Sequence, residues 1–172
     1  MAVAFAVPAV PSVAARTAGT ELYPDNFLGW TEVADALRPR LGKGDAVVAD
    51  HFMLAAQLLF ALERRRQVFV LDHWNNHKHG RAAQLALWGY DEAGLDALPA
   101  GTPAWLLFEI GETPERELAA WVGRGCRWFE AMAPVAAVDG PGGGKTFWIY
   151  RGLRRAGPAP AECPALPPPG GG

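Results

Sequence analysis

Cysteine is scarce in this chain, with two copies in 172 residues, Cys126 and Cys163. Two thiols so placed make no disulfide framework, and neither a CxxC nor a Cys/His zinc spacing is present. A Cys126–Cys163 bridge would require a life outside the cytosol and is not the expected state, so cysteine leaves the redox compartment undecided. An excess of one charge is also missing. Sixteen basic residues face 18 acidic ones, for a net charge of −2. No global positive field exists to attract nucleic acid or anionic lipid. Long apolar runs are lacking too, since no segment reaches the ~18 residues needed to span a bilayer. The nearest, MAVAFAVPAVPSVAA, is broken by Pro8 and Pro11 and lacks a basic start, which makes it a poor signal peptide despite the cleavage-like Val13-Ala14-Ala15.

Nucleophilic chemistry is equally hard to find. There is no GxSxG, the body's sole cysteine has no evident base, and no carboxylate pair stands out. The chain alone does not read as a complete enzyme, and no catalytic residue, metal ligand or cofactor is assigned.

What is present is enough for a packed domain. Half the residues are hydrophobic, a fifth are charged, and the mean hydropathy is +0.01, which excludes a disordered polyelectrolyte. Residues 1–20 read as an irregular apolar leader, residues 21–153 as the folded body, and residues 154–172, rich in Pro and Gly, as a disordered tail.

In the body, Thr31 is expected to cap a helix running to about Leu41, with Val33, Ala34, Leu37 and Leu41 on one face. Ala46–Ala49 is a short apolar run of the kind buried on both faces of a sheet. Asp50 follows as the expected cap of a helix over Phe52–Glu63, and Gln67–Leu71 is a second buried strand ending at Asp72. This strand–helix–strand unit predicts two parallel strands joined by a crossover. A polar loop, His73–Gly80, leads to short helices over Arg81–Leu87 and Asp91–Leu98. Trp105–Ile110 is a third strand, Thr113 caps a helix to about Val122, and Arg127–Ala137 and Thr146–Arg151 close the sheet. The alternation predicts an α/β three-layer sandwich with a mostly parallel sheet and an antiparallel edge.

Gly142-Gly143-Gly144-Lys145-Thr146 mimics the end of a phosphate-binding loop, but the required first glycine is replaced by Asp139 and a strand follows where a helix should. It reads as a hairpin. The Asp50-His51 and Asp72-His73 pairs carry more interest. Each ends a predicted strand, and the carboxyl ends of parallel strands form the usual ligand crevice. His73, His77 and His79 share a stretch with Asn75, Asn76, Lys78 and Arg81. This rim suits a small polar, anionic or hydroxyl-rich ligand. The competing reading is that these groups cap helices and satisfy backbone. A metal-dependent hydrolase built on His51, His73, His77 and His79 is a third possibility, opposed by the adjacent Lys78 and Arg81. Of seven tryptophans, Trp30, Trp74 and Trp88 flank the polar motifs, where an indole could stack on a sugar ring or meet a headgroup, although packing is the simpler explanation. Trp105, Trp121, Trp128 and Trp148 read as core.

Two stretches are more specific: Tyr23-Pro24-Asp25-Asn26-Phe27-Leu28-Gly29-Trp30, and Ala49–Ala55 continuing through Val70–His73 and Asn76–Gly89. Together they resemble the C-terminal soluble region of bacterial membrane glycosyltransferases similar to dolichyl-phosphate-mannose protein mannosyltransferases and aminoarabinose transferases. The likeness covers most of residues 22–152. It implies a polyprenyl-phosphate sugar as donor and catalysis by acidic residues in a multi-span membrane part, on the extracytoplasmic face of the inner membrane. No catalytic position of that family maps onto this chain. The resemblance leaves this domain an accessory role, covering the membrane site or helping to hold a lipid-linked sugar or acceptor. The expected binding residues are Asp25, Asn26, Trp30, Asp50, His51, Asp72, His73, Asn76, His77, His79 and Arg81. Residues 1–15 would then be the remnant of a membrane helix. The expected partner is the membrane part, with no nucleic acid involved.

Overall fold

A computed structural model describes residues 28–62, 67–111, 114–141 and 144–170. The elements in chain order are α1 (Trp30–Leu37), a 3-10 turn (Arg38–Arg40), β1 (Ala46–Ala49), α2 (Phe52–Ala61), β2 (Val68–Val70), α3 (Trp74–Lys78), α4 (Ala82–Trp88), α5 (Glu92–Asp96), β3 (Pro103–Glu109), α6 (Glu115–Gly123), a second 3-10 turn (Arg124–Arg127), β4 (Phe129–Asp139) and β5 (Thr146–Arg154). The leader, Asp25 and Asn26 lie outside the described residues, as does Thr113.

One five-stranded sheet runs in the order β2-β1-β3-β5-β4. β1 pairs in parallel with both β2 and β3, whereas β5 pairs antiparallel with β3 and with β4. The α/β expectation with a parallel core and an antiparallel edge therefore holds. Side-chain alternation along the strands serves two cores. Val47, Ala49, Val70, Leu107 and Ile149 face α1 and α2, meeting Val33, Leu37, Leu54 and Leu58. Ala46, Val48, Phe69, Leu106 and Tyr150 face the other way, onto Leu95 of α5 and Val122 of α6. All four residues of β1 are buried because it is the central parallel strand, covered on both faces.

Several local expectations are corrected. α1 is not capped by Thr31; its N-cap is Gly29, in a left-handed conformation at φ 85°. A Cβ there would sit 3.0 Å from the Phe147 ring, and one on Gly140 would sit 2.9 Å from the Gly29 Cα. Two glycines thus let the start of α1 abut the base of the β4–β5 hairpin. Pro39 tightens the end of that helix into the 3-10 turn. Asp50 does not cap α2. His51 does, its Nδ1 accepting from the Leu54 amide at 3.4 Å. His73–Gly80 is not a plain loop, since His73 caps α3 by accepting from the Asn75 amide at 3.1 Å. Edge strand β4 carries Pro134, two register shifts and Ala131 at φ 51°, features that spoil its free edge for further pairing.

The largest departure is the tail. Cys126 and Cys163 form a disulfide across a sequence separation of 37, so the expectation of free thiols is overturned. Of the segment read as a disordered tail, Arg154 ends β5, and residues 155–170 hold no helix or strand but are tethered to the body. Tyr150 Oη donates to the Pro167 carbonyl at 2.8 Å, the Leu166 amide donates to the Ala119 carbonyl at 3.3 Å, and Leu166 packs on the second core. It forms a strap over α6 and β5. Among the described residues no helix is long and apolar enough to cross a membrane.

Candidate functional site

The carboxyl ends of β1, β2 and β3 deliver Asp50-His51, Asp72-His73 and Glu109 to one rim of the sheet. The two Asp-His pairs behave differently there because β1 is central and β2 is an edge strand. Asp50 and His51 are 1 % and 3 % exposed. Asp50 Oδ2 accepts from the Glu109 amide at 2.9 Å, which ties the ends of β1 and β3 together. His51 Nε2 lies 3.0 Å from Glu109 Oε2 and 3.5 Å from Asp50 Oδ1. Because Nδ1 receives the Leu54 amide, Nε2 carries the proton and donates to Glu109. Glu109 also pairs with the buried ammonium of Lys145, which rests 4.8 Å from the centre of the Trp30 ring. Asp50 Oδ1 is buried with no hydrogen-bond partner.

Two carboxylates, one imidazole and one ammonium thus share a buried pocket. Burial pushes the Asp50 carboxyl up to about 6, against the pull of His51. Burial opposes charge on His51, but the Asp50 and Glu109 carboxylates outweigh it and hold its pKa above the ordinary value. Burial likewise opposes charge on Glu109, but its bonds to His51 and Lys145 prevail and lower its pKa. The expectation of no carboxylate pair is corrected here, since Asp50 and Glu109 meet across the β1–β3 seam. Glu109 and Lys145 were both missed as site residues. Glu109 had a signal: it is the charged residue ending an apolar strand at the same rim as Asp50.

His73 is half-buried and links this pocket to the surface, its ring centre 5.4 Å from that of His51 and 5.0 Å from that of Trp121. Burial, His51 and Arg124 lower its pKa to about 4. It is therefore neutral at physiological pH. Its Nδ1 is occupied by the Asn75 amide, so Nε2 is a proton donor that no described residue takes up. It opens on a groove of about 500 Å³ lined by His73, Trp74, Pro114, Glu117, Ala120, Trp121 and Arg124. Trp74 is 55 % exposed, and the Arg124 guanidinium sits 4.4 Å from the centre of the Trp121 ring. Arg124 is held from the far side by the Asp72 carbonyl at 3.1 Å. An indole face, a neutral donor, a carboxylate and a guanidinium in one open groove form the set that a hydroxylated ring with an anionic substituent requires.

The remaining expected residues divide. Asp72 and His77 are exposed and pair with each other at 2.5 Å beside a smaller cleft of about 190 Å³. Asn76 is buried and consumed, accepting from the Phe52 amide and donating to the Leu71 carbonyl, both at 2.9 Å. His79 packs against the Phe52 ring, and Arg81 reaches Gln84 at 3.3 Å. Trp30 is buried, so it is core and offers no free indole face. The four histidines go to separate partners, and among the described residues no cluster of three or more His, Cys, Asp or Glu could hold a metal ion. The metal-hydrolase reading needs the four histidines brought together, and the structure does not gather them.

No protein-family model matches the sequence, and no curated protein matches it either. Among solved structures, TrmN from Thermus thermophilus aligns with 15% identity and a TM-score of 0.33, over 71% of this chain and 48% of that one. The chain spans about half the length of that structure, and a likeness of this degree carries no functional argument.

Proposed function

We propose that this chain is an accessory domain of a polyprenyl-phosphate-sugar glycosyltransferase, acting on the extracytoplasmic face of the bacterial inner membrane. Its contribution is binding, while the transfer chemistry lies in a separate membrane part. The observation that carries the reading is the groove beneath His73, where Trp74 offers a flat apolar face and Arg124 and His73 offer fixed donors. Sugars bind through this combination of stacking on an indole and directed hydrogen bonds. The Cys126–Cys163 bridge supports a site outside the cytosol, because disulfides persist in oxidising compartments.

The test is a titration of the purified chain with methyl glycosides of hexoses and aminosugars, read by backbone amide shifts. Saturable shifts clustered at His73, Trp74, Trp121 and Arg124 are expected, and Trp74→Ala should weaken binding roughly tenfold. Sugar transfer by this chain with no membrane partner would overturn the accessory role. A second reading is a free-standing module for a small anionic ligand, favoured by Arg124 and the uncommitted donor of His73. Inorganic phosphate in the same titration separates the two: saturable binding of phosphate alone, with every glycoside silent, selects it.

A further inference from the structure

The segment His73–Tyr90, which makes up α3 and α4, contains three histidines, Lys78 and Arg81 but no acidic residue, in a chain whose net charge is −2. The same segment holds three of the six large apolar side chains left exposed among the described residues: Leu87 at 83 %, Trp88 at 54 % and Trp74 at 55 %. Each stays more than half exposed, although Trp88 meets the Tyr90 ring and Trp74 the His73 ring. α4 buries only Leu85, and Ala83, Ala86, Leu87 and Trp88 face solvent. Arg81 precedes Trp88 by seven residues, two helical turns, so both stand on one side of α4 with Leu87 next to them. Lys78 lies 4.9 Å from the Trp74 ring centre, a cation spread along an exposed indole. The nearest acids in sequence are engaged: Asp72 pairs with His77, Asp91 caps α5, and Glu92 binds the Asp72 amide.

We propose that the α3–α4 segment docks the domain on a lipid bilayer rich in anionic headgroups. Leu87 and Trp88 enter the interface, while Lys78 and Arg81 meet the headgroup phosphates. Indoles favour the boundary between acyl chains and headgroups because the ring is apolar and its N–H is polar. Lysine and arginine stems lie along apolar surface while their charges reach the phosphates. The whole-chain charge argued against anionic lipid, but the field that a bilayer meets is that of the surface presented to it, and the segment 73–90 brings Lys78 and Arg81 to that surface with no acid of its own. The inference is tested apart from the sugar-binding reading, because the substituted residues, Lys78, Arg81, Leu87 and Trp88, do not line the sugar groove and the readout differs.

The experiment is flotation of the full chain with vesicles of phosphatidylglycerol and phosphatidylcholine in equal parts, and with vesicles of phosphatidylcholine alone. The chain is expected to float with the mixed vesicles only. The double variant Lys78→Glu/Arg81→Glu should lose at least about tenfold in partitioning, and Leu87→Ser/Trp88→Ser should lose a similar amount. Arg40→Glu/Lys43→Glu makes the same change in net charge before β1, at the opposite end of the strands, and should partition as the parent does. All three altered pairs lie at the surface, so circular dichroism verifies the fold of each. No flotation, equal flotation with both vesicle types, or equal loss in the Arg40/Lys43 variant would each overturn the proposal.

Discussion

Opening the Cys126–Cys163 bridge should cost the domain up to about 4 kcal/mol, as expected for releasing a loop set by the separation of 37 residues. That is the entropy regained by the unfolded chain, and it is an upper bound, because the strap can also undock while the sheet stays folded. The assay is urea unfolding of Cys126→Ser/Cys163→Ser against the oxidised parent, followed by tryptophan emission. With a slope of about 2 kcal/mol per molar, the midpoint falls by up to about 2 M. A second substitution makes the reasoning sharper. Gly123 ends α6, and a Cβ placed on it would sit 2.5 Å from the Pro164 carbonyl oxygen, in the strap. In the oxidised parent, Gly123→Ala must displace the strap and is destabilising. In the protein without the bridge the strap can yield, and the same change gains up to about 1 kcal/mol of helix propensity. A loss below about 1 kcal/mol on removing the bridge would show that the strap is no part of the folded unit. Unchanged sign for Gly123→Ala in the two backgrounds would show that the close approach is not a constraint.

Three further outcomes follow from the buried charges and the core. The Asp50 carboxyl is raised to about 6 from 3.8, so its contribution to stability is present at low pH and lost as pH rises through 6. That shift corresponds to a penalty of roughly 3 kcal/mol at pH 7. Asp50→Asn keeps an acceptor for the Glu109 amide, and urea midpoints at pH 5 and 7 should show its stability relative to the parent rising with pH. His73 acts in the opposite sense: with its pKa lowered to about 4, its contribution is present above 6.5 and lost as pH falls towards 4. His73→Asn should flatten that acid limb in the same midpoints. Lys145→Met removes one partner of a buried pair, and equilibrium unfolding should register a loss of about 3–5 kcal/mol, unless Glu109 takes up a proton. Leu58 is fully buried between α2 and the sheet, so Leu58→Ala should cost about 2–5 kcal/mol by the same measurement.

The elements most legible in the sequence were those whose reasons are local. Ala46–Ala49 and Val68–Leu71 are apolar runs too short for helices, each followed by an aspartate, and they supply the parallel pair β1 and β2. Their order in the sheet was less local. β5 lies between β3 and β4, so the antiparallel half is assembled by pairings such as Phe108 with Trp148, 40 residues apart. No window of sequence encodes that choice. The same distinction divides the site. Asp50 was legible as a polar residue at a strand end, but a capping role needs only the next three residues, whereas its actual partner is the Glu109 amide, 59 residues on. Lys145 was hidden by the glycines before it, which draw attention to phosphate loops and away from the lone cation at the start of β5.

The strap shows where composition misleads in the other direction. Proline and glycine remove the helix and the strand as means of ordering a chain, because they lack amide donors or cost too much backbone entropy. They do not remove covalent closure, a tyrosine hydroxyl aimed at a carbonyl, or a leucine filling a gap beside α6. Residues 155–170 use all three. Order without secondary structure requires a partner surface supplied by the rest of the fold. The partner here is assembled from Gly123, Cys126 and Tyr150, none of which is informative alone. The bridge then determines where this order can persist: an oxidising compartment keeps the strap on the domain, and a reducing one leaves it to its hydrogen bonds and the packing of Leu166.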